Sequence, residues 1–172
     1  MRIQLFLFSL IGIFCLESNV YAKCNFKTGT YIEELVSSKN ISDINLKVNN
    51  YRSFLMNSIR MAKSGGFGIN TKYKKKFKSN IDIKYPFGEC NYKAKIWQNG
   101  DWKDHIKFIN GDIYQSLNVK LLDGNILNSV KFKLLLPETR NGSLNEILAT
   151  VLMDNLGFIS PNTFEKKITI NE

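Results

Sequence analysis

The chain has 172 residues, 44% of them apolar, with a net charge of +9 and a single histidine. That is enough for one domain with a core of its own. The positive balance either favours an anionic partner, such as a phosphorylated ligand, an envelope polymer or a lipid headgroup, or is ordinary solubility charge. Nucleic acid is not expected as a partner, because the chain carries an export signal.

The N-terminus reads as a leader. Arg2 precedes the apolar run LFLFSLIGIFC from Leu5 to Cys15, and Val20-Tyr21-Ala22 supplies the small residues that a signal peptidase reads. Residues 1–22 are therefore predicted to be removed, leaving 23–172 as a single α+β domain in the periplasm or outside the cell. The apolar run is too short to span a bilayer, which takes roughly 20 helical residues. No later run reaches that length, so no transmembrane segment is expected after processing. Cys24 and Cys90 then remain, an even pair in an exported chain. They form either one disulfide, closing a long loop at a gain of roughly 3–5 kcal/mol, or two free thiols. Two cysteines and a distant histidine do not make a zinc site, and no metal ligands are assigned.

Thr30-Tyr31-Ile32-Glu33 has the spacing of a capping box and predicts a short helix over 31–38, with Ile32, Leu35 and Val36 on one face. A second helix follows Asn50. Tyr51, Phe54, Leu55, Ser58, Ile59 and Ala62 recur at helical spacing, and Gly65-Gly66 ends it. Gly65-Gly66-Phe67-Gly68 matches no phosphate-loop pattern and reads as a helix stop.

From Thr71 the period changes to two. KYKKKFKSNIDIKYPF predicts one or two strands, and NYKAKIW predicts another that ends at the Asn99-Gly100 turn. The lysines of 72–78 read either as a polyanion patch or, more simply, as a solvated strand face with Tyr73 and Phe77 inward. His105–Ile109, Leu117–Leu122 and Val130–Leu136 complete the strand candidates, separated by Asn-Gly-Asp and Asp-Gly-Asn turns. Leu134–Leu136 is apolar enough to be buried on both faces. Strands at this spacing predict an antiparallel sheet with two or three packed helices. Asp101 and Asp104 beside His105 suggest an aspartate-oriented general base or a hydrogen-bonded turn.

Pro137 ends the last of these strands. Ser143-Leu144-Asn145-Glu146 is a second capping box, and Leu144, Ile147, Leu148, Val151 and Leu152 form an apolar stripe. Gly157 supplies the left-handed stop. Arg140, in the loop before this helix, adds an anion-binding fork near exposed helix amides. A final strand is predicted over 163–170.

The segments NVKL (118–121), KFKLLLPETRNGSLNEILATVLMDNLGF (131–158), Ile159-Ser160-Pro161 and ITINE resemble the CotH family of atypical secreted protein kinases. GECNYKAKIWQNGDWKDHIKF is similar to the family's preceding strand, although Trp97 stands near its usual basic residue. The likeness covers approximately 90–172. It implies a kinase-like N-terminal lobe in which Lys120 or Lys133 contacts nucleotide phosphates and Glu146 is the pairing helix glutamate. ATP with Mg or Mn is the cofactor it implies. The family's catalytic and metal-binding aspartates lie past the strand at which this sequence stops, so a fragment or degenerate relative without catalysis of its own is expected.

Overall fold

From Ser79 to Gln98 the side chains alternate between burial and solvent. Ser79, Ile81, Ile83 and Tyr85 point inward from one strand, and Cys90, Tyr92, Ala94, Ile96 and Gln98 from the next. That period of two builds a hairpin with one apolar face. The computed structural model describes residues 23–137 and 143–171. The predicted leader, residues 1–22, and Arg140 with its loop lie outside them.

In chain order the elements are β1 (Lys23–Phe26), α1 (Ile32–Leu35), β2 (Asp43–Val48), α2 (Tyr51–Lys63), β3 (Phe77–Tyr85), β4 (Gly88–Gln98), β5 (Ile106–Ile109), β6 (Asp112–Gln115), β7 (Leu117–Leu121), β8 (Lys131–Leu134), α3 (Ser143–Asn155) and β9 (Ile168–Ile170). The main sheet runs β8-β7-β4-β3-β2-β9, and β1 pairs with the first half of β4. All its pairs are antiparallel except β2 with β9, which is parallel. The fold is thus α+β with an antiparallel-rich sheet and three helices. The parallel β9 is a departure from the purely antiparallel sheet expected. β9 is also shorter than the predicted strand, because only 168–170 reach β2.

Cys24 and Cys90 are in register across β1 and β4 and are joined by a disulfide. Their bond ties the start of the described chain to the centre of the sheet, and it fits an oxidising compartment. Gly88 permits that approach, since a Cβ there would lie 2.3 Å from the Asn25 carbonyl oxygen.

Helix α2 covers the inner face. Asn50 caps it by accepting the Ser53 amide proton at 3.2 Å, as the sequence predicts. Phe54 packs edge-on against Phe77 with ring centres 5.4 Å apart, above a core centred on Leu46, Ile83, Ile96, Leu117 and Val119. Tyr85 and Tyr92 are buried in this core, and desolvation raises the pKa of both phenols. A smaller cluster of Met61, Ile69 and Ile106 lies at the far end of α2, where β5 and β6 form their own hairpin.

Three other expectations are corrected. Helix α1 spans four residues, and its box is shifted by one: Glu34 accepts the Tyr31 amide proton at 3.1 Å, while the Thr30 hydroxyl is spent on the Lys27 carbonyl at 2.8 Å. Strand β8 is a sheet edge, so Leu134, Leu135 and Leu136 are only half-buried rather than enclosed on both faces. The apolar stripe of α3 is also not packed. Leu144 and Leu148 are 74% and 66% exposed, and the inward side carries Ile147 and Thr150. Gly157 does adopt the left-handed stop, with φ +78 and the Phe158 amide donating to the Met153 carbonyl at 3.0 Å.

Candidate functional site

The outer face of the sheet is basic, for a reason of register. The residues between the buried ones on β3, β4, β7 and β8 are largely lysines. Strand pairing aligns Lys78 with Lys95, Lys95 with Lys120, and Lys120 with Lys131. Four ammonium-bearing side chains therefore stand in one row perpendicular to the strands. With strands about 4.8 Å apart, the row is roughly 14 Å long.

The flanking positions extend the same character. Toward one side Asn80 faces Lys93, and toward the other Trp97 faces Asn118, which faces Lys133. The Lys76 and Lys131 ammonium groups lie 5.3 and 6.0 Å from the centre of the Trp97 ring, within cation–π range. No carboxylate stands on β4 beyond Glu89, or anywhere on β7 or β8. Asp123, just after β7, is buried and accepts the Lys93 amide proton at 2.6 Å. The acids of the outer face collect at its opposite end. There Asp82 pairs with Lys47 at 2.6 Å and hydrogen-bonds Asn91, and Asp43 lies 3.8 Å from Lys84. The Asp82 hydrogen bond and charge hold the Lys47 ammonium above the usual lysine pKa. Among the described residues no ion pair involves Lys78, Lys95, Lys120 or Lys131.

The predicted site residues divide accordingly. Lys120 and Lys133 are both exposed on the outer face of β7 and β8, on neighbouring rows. Glu146 sits in the first turn of α3 and is half-buried. Among the described residues no cluster of His, Cys, Asp and Glu has the spacing to hold a metal ion, and no helix is long and apolar enough to cross a membrane.

The run of lysines before β3 does not form one patch. Residues 71–73 are a 3-10 turn, and three successive lysines leave in different directions. Lys74 pairs with Asp101, Lys75 lines a cleft beside α2, and Lys76 covers Trp97. The strand reading of 72–76 is thereby corrected, since pairing begins at Phe77.

His105 is placed as a structural residue. Its Nδ1 lies 3.1 Å from the hydroxyl of Ser116, which is fully buried and also accepts the Leu136 amide proton at 3.1 Å. The imidazole packs over Gly100, where a Cβ would come within 1.9 Å of the ring. Asp101 pairs with Lys74, whose hydrogen bond and charge hold its carboxyl below the usual value. The histidine thus has a buried serine as its partner.

Comparison with protein-family models, curated proteins and solved structures returned no match. The lysine row was not apparent in the sequence, because its members come from four separate strands. The readable signal is the recurrence of lysine at alternate positions in YKAKIW and KFKL.

Proposed function

We propose that the protein is an exported binding module that takes a linear anionic polymer, of the kind found in a cell envelope, on the outer face of its sheet. The observation that carries this reading is the aligned row Lys78-Lys95-Lys120-Lys131, four cations in register with no carboxylate partner among the described residues. Like charges directly opposite one another on paired strands cost stability. A row of three such contacts is offset when an anion lies along it. A polymer with regularly repeated phosphate or carboxylate groups meets successive lysines, and the Lys76 ammonium held against Trp97 adds a further cation beside the row. The acidic end of the same face, at Asp43 and Asp82, repels the polymer and limits the site to the β3–β8 half.

The experiment is binding of the purified protein to inorganic polyphosphate across a salt series. Four released counterions correspond to a slope of log affinity against log salt of about −3. Replacing Lys78, Lys95, Lys120 and Lys131 by Gln is expected to weaken binding at least tenfold. Replacing Lys23, Lys39, Lys63 and Lys167 removes the same charge elsewhere and is expected to weaken it less than threefold. Equal losses in the two variants would overturn the reading in favour of diffuse charge. Anionic vesicles form a second arm, and tighter binding to them than to polymer would reassign the face to lipid headgroups. The resemblance to CotH kinases carries a nucleotide reading of Lys120 or Lys133. A thermal shift with ATP and Mg or Mn that the Lys120→Gln and Lys133→Gln changes abolish would support it over the polymer.

A further inference from the structure

The outer face leaves unused a second group of cations on the other side of the molecule. Arg52 and Arg60, two turns apart on α2, flank Met56 and Asn57 on the solvent side of the helix. Lys75 reaches the same place from the segment that leads into β3. Together they line a cleft of about 300 Å³ floored by Phe77. The segment is fixed against the helix because the Asn57 amide donates to the Tyr73 carbonyl at 2.8 Å. Phe77 is held in turn by its edge-on contact with buried Phe54.

Helix α2 contains no aspartate or glutamate, and among the described residues no carboxylate pairs with Arg52, Arg60 or Lys75. Three cations from two elements therefore line one concavity without a counter-charge. Two guanidinium forks offer paired N–H donors, the Lys75 ammonium adds a point charge, and the concave shape concentrates their field. The Ser53 amide is already bonded to Asn50, so the cleft binds through side chains and not through the helix end.

From this we infer that the Arg52–Arg60–Lys75 cleft is a binding site for a compact, multiply charged phosphate group, a pyrophosphate or a terminal phosphate monoester. It is independent of the lysine row. Lys75 and Lys76, adjacent in sequence, serve the cleft and the outer face respectively. The helix rise of about 1.5 Å per residue separates the Arg52 and Arg60 backbones by roughly 12 Å. Both long side chains can close on a ligand lying over Met56, and a diphosphate matches that span better than a single small anion.

The test is calorimetric titration of the purified protein with inorganic pyrophosphate at low salt. Wild-type protein is expected to bind one equivalent. The double variant Arg52→Gln, Arg60→Gln is expected to lose at least tenfold in affinity. Arg52→Lys, Arg60→Lys keeps the charge but loses the forks, and is expected to recover only part of that loss. Both arginines are exposed, so circular dichroism should show the variants folded as wild type. The Lys95→Gln, Lys120→Gln protein is expected to bind pyrophosphate within twofold of wild type. That last comparison separates this site from the polymer face, because failure of the lysine-row reading leaves it untouched. Pyrophosphate binding that the double arginine variant retains, or no binding to wild-type protein, would overturn the inference.

Discussion

Lys95 of β4 stands directly across from Lys120 of β7, both on the outer face, and neither has an acidic neighbour on its own strand within two residues. Reversing the Lys120 charge turns two of the row's three repulsive contacts into attractive ones and leaves Lys78 against Lys95. Lys120→Glu would place a carboxylate between Lys95 and Lys131, and is expected to raise stability by about 0.5–1 kcal/mol at low salt. The gain should fade toward 1 M salt, where the screening length drops to about 3 Å. Urea denaturation at two salt concentrations measures it. The same change should lower polyphosphate affinity. A variant both more stable and weaker in binding is the signature of a surface kept repulsive for a ligand, whereas an unchanged stability would show that the row is already screened.

The local features of this fold are legible because each depends on a few adjacent residues. Asn50 caps α2 and Gly157 ends α3 where the pattern puts them, and the hairpin of β3 and β4 follows from alternation alone. Strand β2 alternates as cleanly, with Ile44, Leu46 and Val48 inward, but it is short and preceded by a polar stretch that reads as loop. The lysine row is a different kind of object. Lys78 and Lys131 share it only because three strand pairings fix their registers, and a register is a long-range property that no sequence window contains. The cleft beside α2 has the same origin: Arg52 and Arg60 are spaced along one helix face, but Lys75 joins them only through the path of the chain after residue 70. The apolar periodicity of α3 is present but its stripe is exposed, because periodicity reports which residues share a face and not what covers it.

The contact between Lys74 and Asp101 gives a pH dependence whose sign is fixed. The lysine lowers the Asp101 pKa in the folded protein below its ordinary 3.8. A depressed carboxyl pKa means that the unfolded chain binds the proton more readily. The contribution is therefore fully present above about pH 5 and is lost as pH falls through the folded value. Asp101 is 85% exposed, so solvent and salt keep the effect small. Comparing wild-type and Asp101→Asn protein by denaturation midpoint should show a difference that is constant from about pH 5 to 8 and shrinks as the pH falls through and below the ordinary 3.8. A difference that persists at low pH would mean that Asp101 acts through geometry rather than charge.

Ile96 and Leu148 test where the stability of the fold resides. Ile96 is fully buried at the centre of the sheet, whereas Leu148 is 66% exposed on α3. Ile96→Ala removes buried surface and leaves a cavity that the surrounding strands cannot close, at an expected cost of about 2–5 kcal/mol. Leu148→Ala removes surface that solvent already reaches, and should change stability by less than about 0.5 kcal/mol. Urea denaturation of both variants at two protein concentrations measures the contrast. If Leu148→Ala costs as much as Ile96→Ala, and more at the higher concentration, then the apolar face of α3 is covered by another copy of the chain in solution. If the cost is large at both concentrations, the helix is packed within its own chain more closely than its exposure indicates.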